Sequence, residues 1–224
     1  MAPPASCLLL MNYLAHLYLA ENTPESRIGN FLGDFVKGHL SEYESVYSPG
    51  IIQGIKEHRK IDCFIDRHPG FIQSKRRLGK KYRLVSGIII DILSDHFLSQ
   101  HWQQFNPTED LDSFIFNNYQ ILSQSQDILP KPLQKILPRI IEENWLGSYR
   151  ELDGVELTLI RLSRRLTREN PLPEAIEDIK KNYPELEADF LSFFPELIRY
   201  VHVERGNREQ GRGGEGEERV GRVC

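Results

Sequence analysis

From residue 11 to residue 203 the apolar side chains return mainly every three or four positions, and short stretches rich in proline and glycine interrupt the rhythm. A period near 3.6 places those side chains on one face of a helix, so the chain is expected to fold as an all-α protein. Ile51, Ile55, Ile61 and Ile65, with Ile52 and Phe64, mark one helix over Ile51–Ile65. Leu84, Ile88, Ile92, Phe97 and Leu98 mark another over Arg83–Trp102. Further helices are expected over Asp110–Gln126, Lys131–Trp145, Glu151–Arg168 and Pro173–Tyr200. Ser48-Pro49-Gly50, His68-Pro69-Gly70, Asn106-Pro107-Thr108 and Asn170-Pro171 fall between these segments, where helices are expected to stop. No pair of alternating runs would make a hairpin, and no fixed-period repeat is apparent.

With 224 residues, 40% of them apolar, the chain can bury a substantial core. No internal linker divides it, so a single multi-helix domain is expected over residues 11–203. Residues 1–10, ahead of a second methionine, Met11, read as an N-terminal extension. Residues 204–224 are rich in Gly, Arg and Glu and read as a disordered tail. The apolar run Cys7–Ala20 lacks a basic flank and is too short to span a bilayer. Cys7, Cys63 and Cys224 are scattered and odd in number, forming neither a disulfide framework nor a zinc pattern; a reducing cytoplasm is the natural setting. A net charge of −4 gives no global attraction to nucleic acid, and the basic segments lack interleaved aromatic residues, so nucleic acid is not an expected partner.

Three segments carry His and Asp in patterns suited to a metal. His58, Asp62 and Asp66 follow one another at intervals of four, which stacks them on one helix face. Asp91 and Asp95 repeat that spacing, with His96 next to Asp95, in the strongly apolar run Gly87–Leu98. Carboxylates in such a helix are costly to bury unless they pair, hydrogen-bond or meet a cation. His16 in the first helix and Asp34 in Gly33-Asp34-Phe35, where the glycine lets a backbone approach a ligand closely, form the third source. Mixed imidazole and carboxylate donors suit Mn, Fe, Zn or Mg, and a divalent ion can acidify water and neutralise a phosphoryl oxygen. The alternatives are a solvated face for His58, Asp62 and Asp66, structural hydrogen bonding for Asp91, Asp95 and His96, and a satisfied core histidine at His16. Two basic clusters, Lys75-Arg76-Arg77 with Lys80, Lys81 and Arg83, and the stripe containing Arg161 and Arg165, could dock an anion or an acidic protein.

Five blocks in fixed order carry a resemblance: M-N-Y-L-A-H-L-Y-L-A from Met11, G-N-F-L-G-D-F-V-K-G from Gly29, G-I-K-E-H-R-K-I-D-C-F-I-D-R-H-P from Gly54, G-I-I-I-D-I-L-S-D-H-F-L-S-Q-H-W from Gly87 and N-W-L-G-S-Y-R-E-L-D-G-V from Asn144. Together they resemble the acyl carrier protein phosphodiesterase family. The resemblance implies hydrolysis of the phosphodiester that joins phosphopantetheine to a serine of holo acyl carrier protein. It also implies a divalent cation, most often manganese, with Mg2+ or Fe2+ as alternatives, and a distant relation to HD-type helical phosphohydrolases. Asp34, His58, Asp62, Asp66, Asp91, Asp95 and His96 fall in its blocks. On this basis His58, Asp62, Asp66, Asp91 and Asp95 are expected as metal ligands, His96 or His16 as proton donor, Asp34 as a further catalytic group, and Arg59 as the holder of a phosphoryl oxygen. The Lys75–Arg83 cluster, together with Arg161 and Arg165, is expected to meet the acidic carrier. The HD enzymes use a His-Asp dipeptide, whereas this chain has Asp95-His96 in reverse order. Other phosphoester hydrolysis on the same centre, or a non-catalytic helical module, are the rival readings.

Overall fold

The computed structural model describes residues 13–211, and no β-strand occurs among them. The helices are α1 (Tyr13–Leu19), α2 (Pro24–Leu32), α3 (Pro49–Arg67), α4 (Pro69–Arg77), α5 (Ser86–Gln100), α6 (Trp102–Phe105), α7 (Leu111–Gln124), α8 (Lys131–Glu142), α9 (Trp145–Ser148), α10 (Leu152–Ser163), α11 (Ala175–Lys181) and α12 (Tyr183–Gly211). The expected extension 1–10 and the last residues of the tail lie outside the described residues. No helix among those described is long and apolar enough to cross a membrane.

Local chemistry sets most of the boundaries. Thr23 and Ser48 accept hydrogen bonds from the first turns of α2 and α3, each followed by a proline in the helix's opening positions. His68 is extended, as a residue before proline must tend to be, and it separates α3 from α4. Gly79, with φ +79°, turns the chain after α4. The helix expected from Arg83 starts at Ser86 instead, and Leu84, expected in the core, is 84% exposed. The segment expected as one helix over Pro173–Tyr200 is broken at Asn182 between α11 and α12.

Two packing features position the site. The backbones of α2 and α3 touch: a Cβ added at Gly29 would lie 2.3 Å from the Ile51 carbonyl oxygen, and one at Gly54 would lie 2.7 Å from that of Ser26. Helix α5 runs through the core, with Ile89, Ile92, Leu93, Phe97 and Leu98 buried, and packs against α1, α4, α10 and α12. Residues 204–211, expected to be disordered, continue α12 as helix. Charge pairing explains the difference. Lys60 meets Glu204 at 2.9 Å, Arg205 meets Glu57 at 2.7 Å, and Arg208 meets Glu21, so the polar tail is held by α3 and the α1–α2 turn.

Candidate metal centre

Helix α1 delivers His16 and α3 delivers His58 and Asp62 to one place. Asp62 bridges the imidazoles, with Oδ1 3.1 Å from His16 Nε2 and Oδ2 3.1 Å from His58 Nε2. The two rings stack with centroids 3.8 Å apart. The three side chains each offer one ligand atom, and these atoms lie within 4.8 Å of one another. Both histidines are buried, whereas the Asp62 side chain is 44% exposed, so the cluster opens to solvent past that carboxylate.

The ring of His58 is fixed from behind. Its Nδ1 donates to the Asn30 carbonyl at 2.8 Å, which aims Nε2 at Asp62 and at Asp34 Oδ1, 3.7 Å away. A backbone carbonyl on one imidazole nitrogen is the usual support for a histidine whose other nitrogen binds metal. Gly33 makes room for it: a Cβ there would sit 2.1 Å from the His58 ring. The close backbone approach expected beside Asp34 therefore serves the histidine.

Electrostatics marks the same place. Burial alone would lower the His58 pKa, but Asp62 and Asp34 outweigh it and raise it to about 10. Burial would raise the Asp62 carboxyl, yet His58 and His16 hold it well below the ordinary carboxylate range. Burial, and then the charge of His58, lower His16, whose Nδ1 is an orphaned buried atom without a hydrogen-bond partner. Asp91 makes no hydrogen bond or ion pair among the described residues. Burial first, and then Asp62, Asp34, Asp66 and Asp95, push its carboxyl well above the usual value. So many acidic groups around two imidazoles, with an unpaired carboxylate among them, form a donor set that fits a divalent cation.

Other expected site residues are placed differently. Both oxygens of Asp95 are used by α1, accepting from Leu14 N–H at 3.0 Å and Ala15 N–H at 2.8 Å, so Asp95 caps the helix that carries His16. Burial still pushes its carboxyl up to about 7 against those bonds. His96 is turned about 100° from Asp95 around α5. Its Nδ1 meets the Tyr149 carbonyl at 2.7 Å and its Nε2 the Tyr183 hydroxyl at 2.8 Å, so both nitrogens are engaged away from the cluster. Arg59 does not face the site; it donates to the carbonyls of Val36 at 2.9 Å and Gly38 at 3.0 Å and so holds the loop that follows Asp34. Asp66 is exposed, with its nearest cation, Lys75, at 3.7 Å. His16, expected as a proton donor or a core histidine, stands with the ligand atoms. Asn30 and Glu57 were not singled out from the sequence, whereas Gly33 was, as the glycine beside Asp34.

The basic clusters divide in the same way. Arg77 is committed to Asp189, with Nε 2.6 Å from the carboxylate, and Lys81 to Glu174 at 2.6 Å. Arg161 binds Glu143 at 2.7 Å and covers the Trp145 ring, which Arg165 also approaches. Arg76, Lys80 and Arg83 are exposed and have no ion-pair partner among the described residues, and Leu84 projects beside them.

An all-helical fold with a half-open imidazole–carboxylate cluster defines a class: helical proteins whose clustered side chains could hold a metal ion. Comparison narrows it. A family model described as acyl carrier protein phosphodiesterase matches residues 11–197, and the chain belongs to that family. An acyl carrier protein phosphodiesterase of Photorhabdus laumondii is 34% identical over 188 residues, covering 84% of this chain and 93% of that protein. Those of Serratia proteamaculans and Klebsiella pneumoniae are 33% and 34% identical, each covering 84% of this chain and 96% of the relative. No solved structure matches the chain.

Proposed function

We propose that the chain hydrolyses the phosphodiester between phosphopantetheine and a serine of holo acyl carrier protein, giving apo carrier and free phosphopantetheine. The observation that carries this reading is the meeting of His16, His58 and Asp62 from two helices, in a chain of this family. These three residues hold the cation, for which Mn2+ is the first candidate and Mg2+ or Fe2+ the alternatives. A cation held there would supply Lewis acidity to a phosphoryl oxygen and would make water a better nucleophile near neutral pH. Asn30 and Gly33 orient His58; Asp95 holds α1 so that His16 stays in place. Asp34, beside His58 on the loop that Arg59 fastens, accepts the proton of the attacking water. Asp91, whose burial and acidic neighbours push its carboxyl up, would become a further carboxylate donor once a cation offset them. Arg76, Lys80 and Arg83 attract the acidic carrier, and Leu84 gives it an apolar contact.

The test is release of phosphopantetheine from holo carrier, read as the mass change of the carrier, beside a panel of nucleotides and small phosphoesters. The protein stripped by chelation is expected to lose activity and to regain it with Mn2+. Full turnover in excess chelator sinks the metal reading. Turnover of the panel but not the carrier sinks the substrate.

A further inference from the structure

We infer that Arg205 is a positioning residue for the metal centre, because one guanidinium ties together the two helices that carry the imidazole ligands. The inference rests on the reading of His16 and His58 as ligands, and it concerns a residue beyond the stretch 11–197 matched by the family model.

The contacts form two branches from one side chain. Along the first, Arg205 Nε donates to Glu57 Oε1 at 2.7 Å, and Glu57 Oε2 accepts from Asn30 Nδ2 at 3.2 Å. Asn30 Nδ2 also bonds the Ser26 carbonyl at 3.1 Å, and the Asn30 carbonyl receives His58 Nδ1. Glu57 immediately precedes His58 on α3 and is only 7% exposed, so its carboxylate needs a cation. Along the second branch, Arg205 Nη2 donates to the Leu19 carbonyl, at the end of α1 and three residues after His16. Arg208 adds a bond to Glu21 in the turn that follows α1. A planar guanidinium spans a carboxylate on one helix and a carbonyl on another; the single ammonium of lysine cannot occupy both positions in that fixed geometry. The last turns of α12 therefore set the spacing between the helices of His16 and His58 without touching the centre itself.

Side chains bonded directly to a metal ligand typically change metal affinity about 10- to 100-fold when removed, and Arg205, which acts through Glu57 and Asn30, is expected to have a smaller effect. The experiment is a calorimetric titration of metal-free full-length protein with Mn2+, for wild type, Arg205→Ala and Arg205→Lys, with helical content followed by circular dichroism. Arg205→Ala is expected to bind Mn2+ severalfold more weakly at unchanged stoichiometry, and Arg205→Lys to recover part of the loss. Because Arg205→Ala strands the buried Glu57 carboxylate and can fail to fold, the apolar pair Glu57→Met with Arg205→Met is measured alongside it. That pair leaves no lone charge, and such replacements are often neutral in stability. Weakened Mn2+ binding in the folded pair supports positioning; wild-type affinity in it overturns the inference. If wild type itself binds no Mn2+, the metal reading fails instead, which keeps the two outcomes apart.

Discussion

At the scale of single residues, Gly33 is the strictest requirement of the centre. A methyl group at that position would overlap the His58 ring, so Gly33→Ala must displace the ring, the α2 end or both. Overpacking of this kind costs about 1–3 kcal/mol. Tilting His58 away from the Asn30 carbonyl also weakens its hold on a cation, so Mn2+-dependent turnover is expected to fall about 10- to 100-fold. Thermal melts and metal-dependent release of phosphopantetheine measure the two effects; a variant with normal turnover would show that the ring need not lie where it does. The interval of four made His58 and Asp62 legible as a pair. The third member was legible only as a histidine in an apolar helix. Whether His16 binds or donates depends on which helix meets α1, and that is a tertiary fact absent from local spacing.

At the scale of elements, α5 shows how the same pattern can carry a different duty. Asp91 and Asp95 share a helix face by spacing, yet Asp95 spends both oxygens on the first turn of α1. Nothing in the run Gly87–Leu98 reveals this, because the partner groups are backbone N–H groups some eighty residues earlier. Asp95→Asn keeps one acceptor but points an amide at the other N–H, leaving a buried donor unsatisfied at a cost of about 1–3 kcal/mol. The expected outcome is a lower melting temperature with metal still bound at wild-type stoichiometry. Asp62→Asn, by contrast, is expected to lose bound metal and also to melt lower, because it removes the charge that faces the buried His58 imidazole. Metal content after gel filtration separates the two roles; equal metal loss in both variants would return Asp95 to the ligand set. The start of α3 was legible at Ser48-Pro49-Gly50, whereas α2 and its Thr23 cap were not among the expected helices. Helix was not legible at residues 204–211, where local composition argues for disorder and distant carboxylates supply the order.

At the scale of the whole molecule, the surface divides its positive charge between structure and reach. Arg77, Lys81 and Arg161 are absorbed by internal pairs, whereas Arg76, Lys80 and Arg83 are exposed without an ion-pair partner among the described residues. The double charge reversal Arg76→Glu with Lys80→Glu is expected to raise KM for holo carrier severalfold at low salt. That difference should shrink as ionic strength rises, because exposed charges farther apart than about 10 Å are largely screened near 0.1 M salt. Leu84→Ser should raise KM with little salt dependence, since its contact is apolar. Steady-state kinetics across a salt series reads both, and unchanged KM in all of these variants would move the docking face elsewhere. The bond from Arg205 to the Leu19 carbonyl joins residues 186 apart in sequence. A nascent chain cannot close that bond until residue 205 has left the ribosome. A product truncated before the final turns of α12 would keep His16 and His58 and lack the strut that joins their helices.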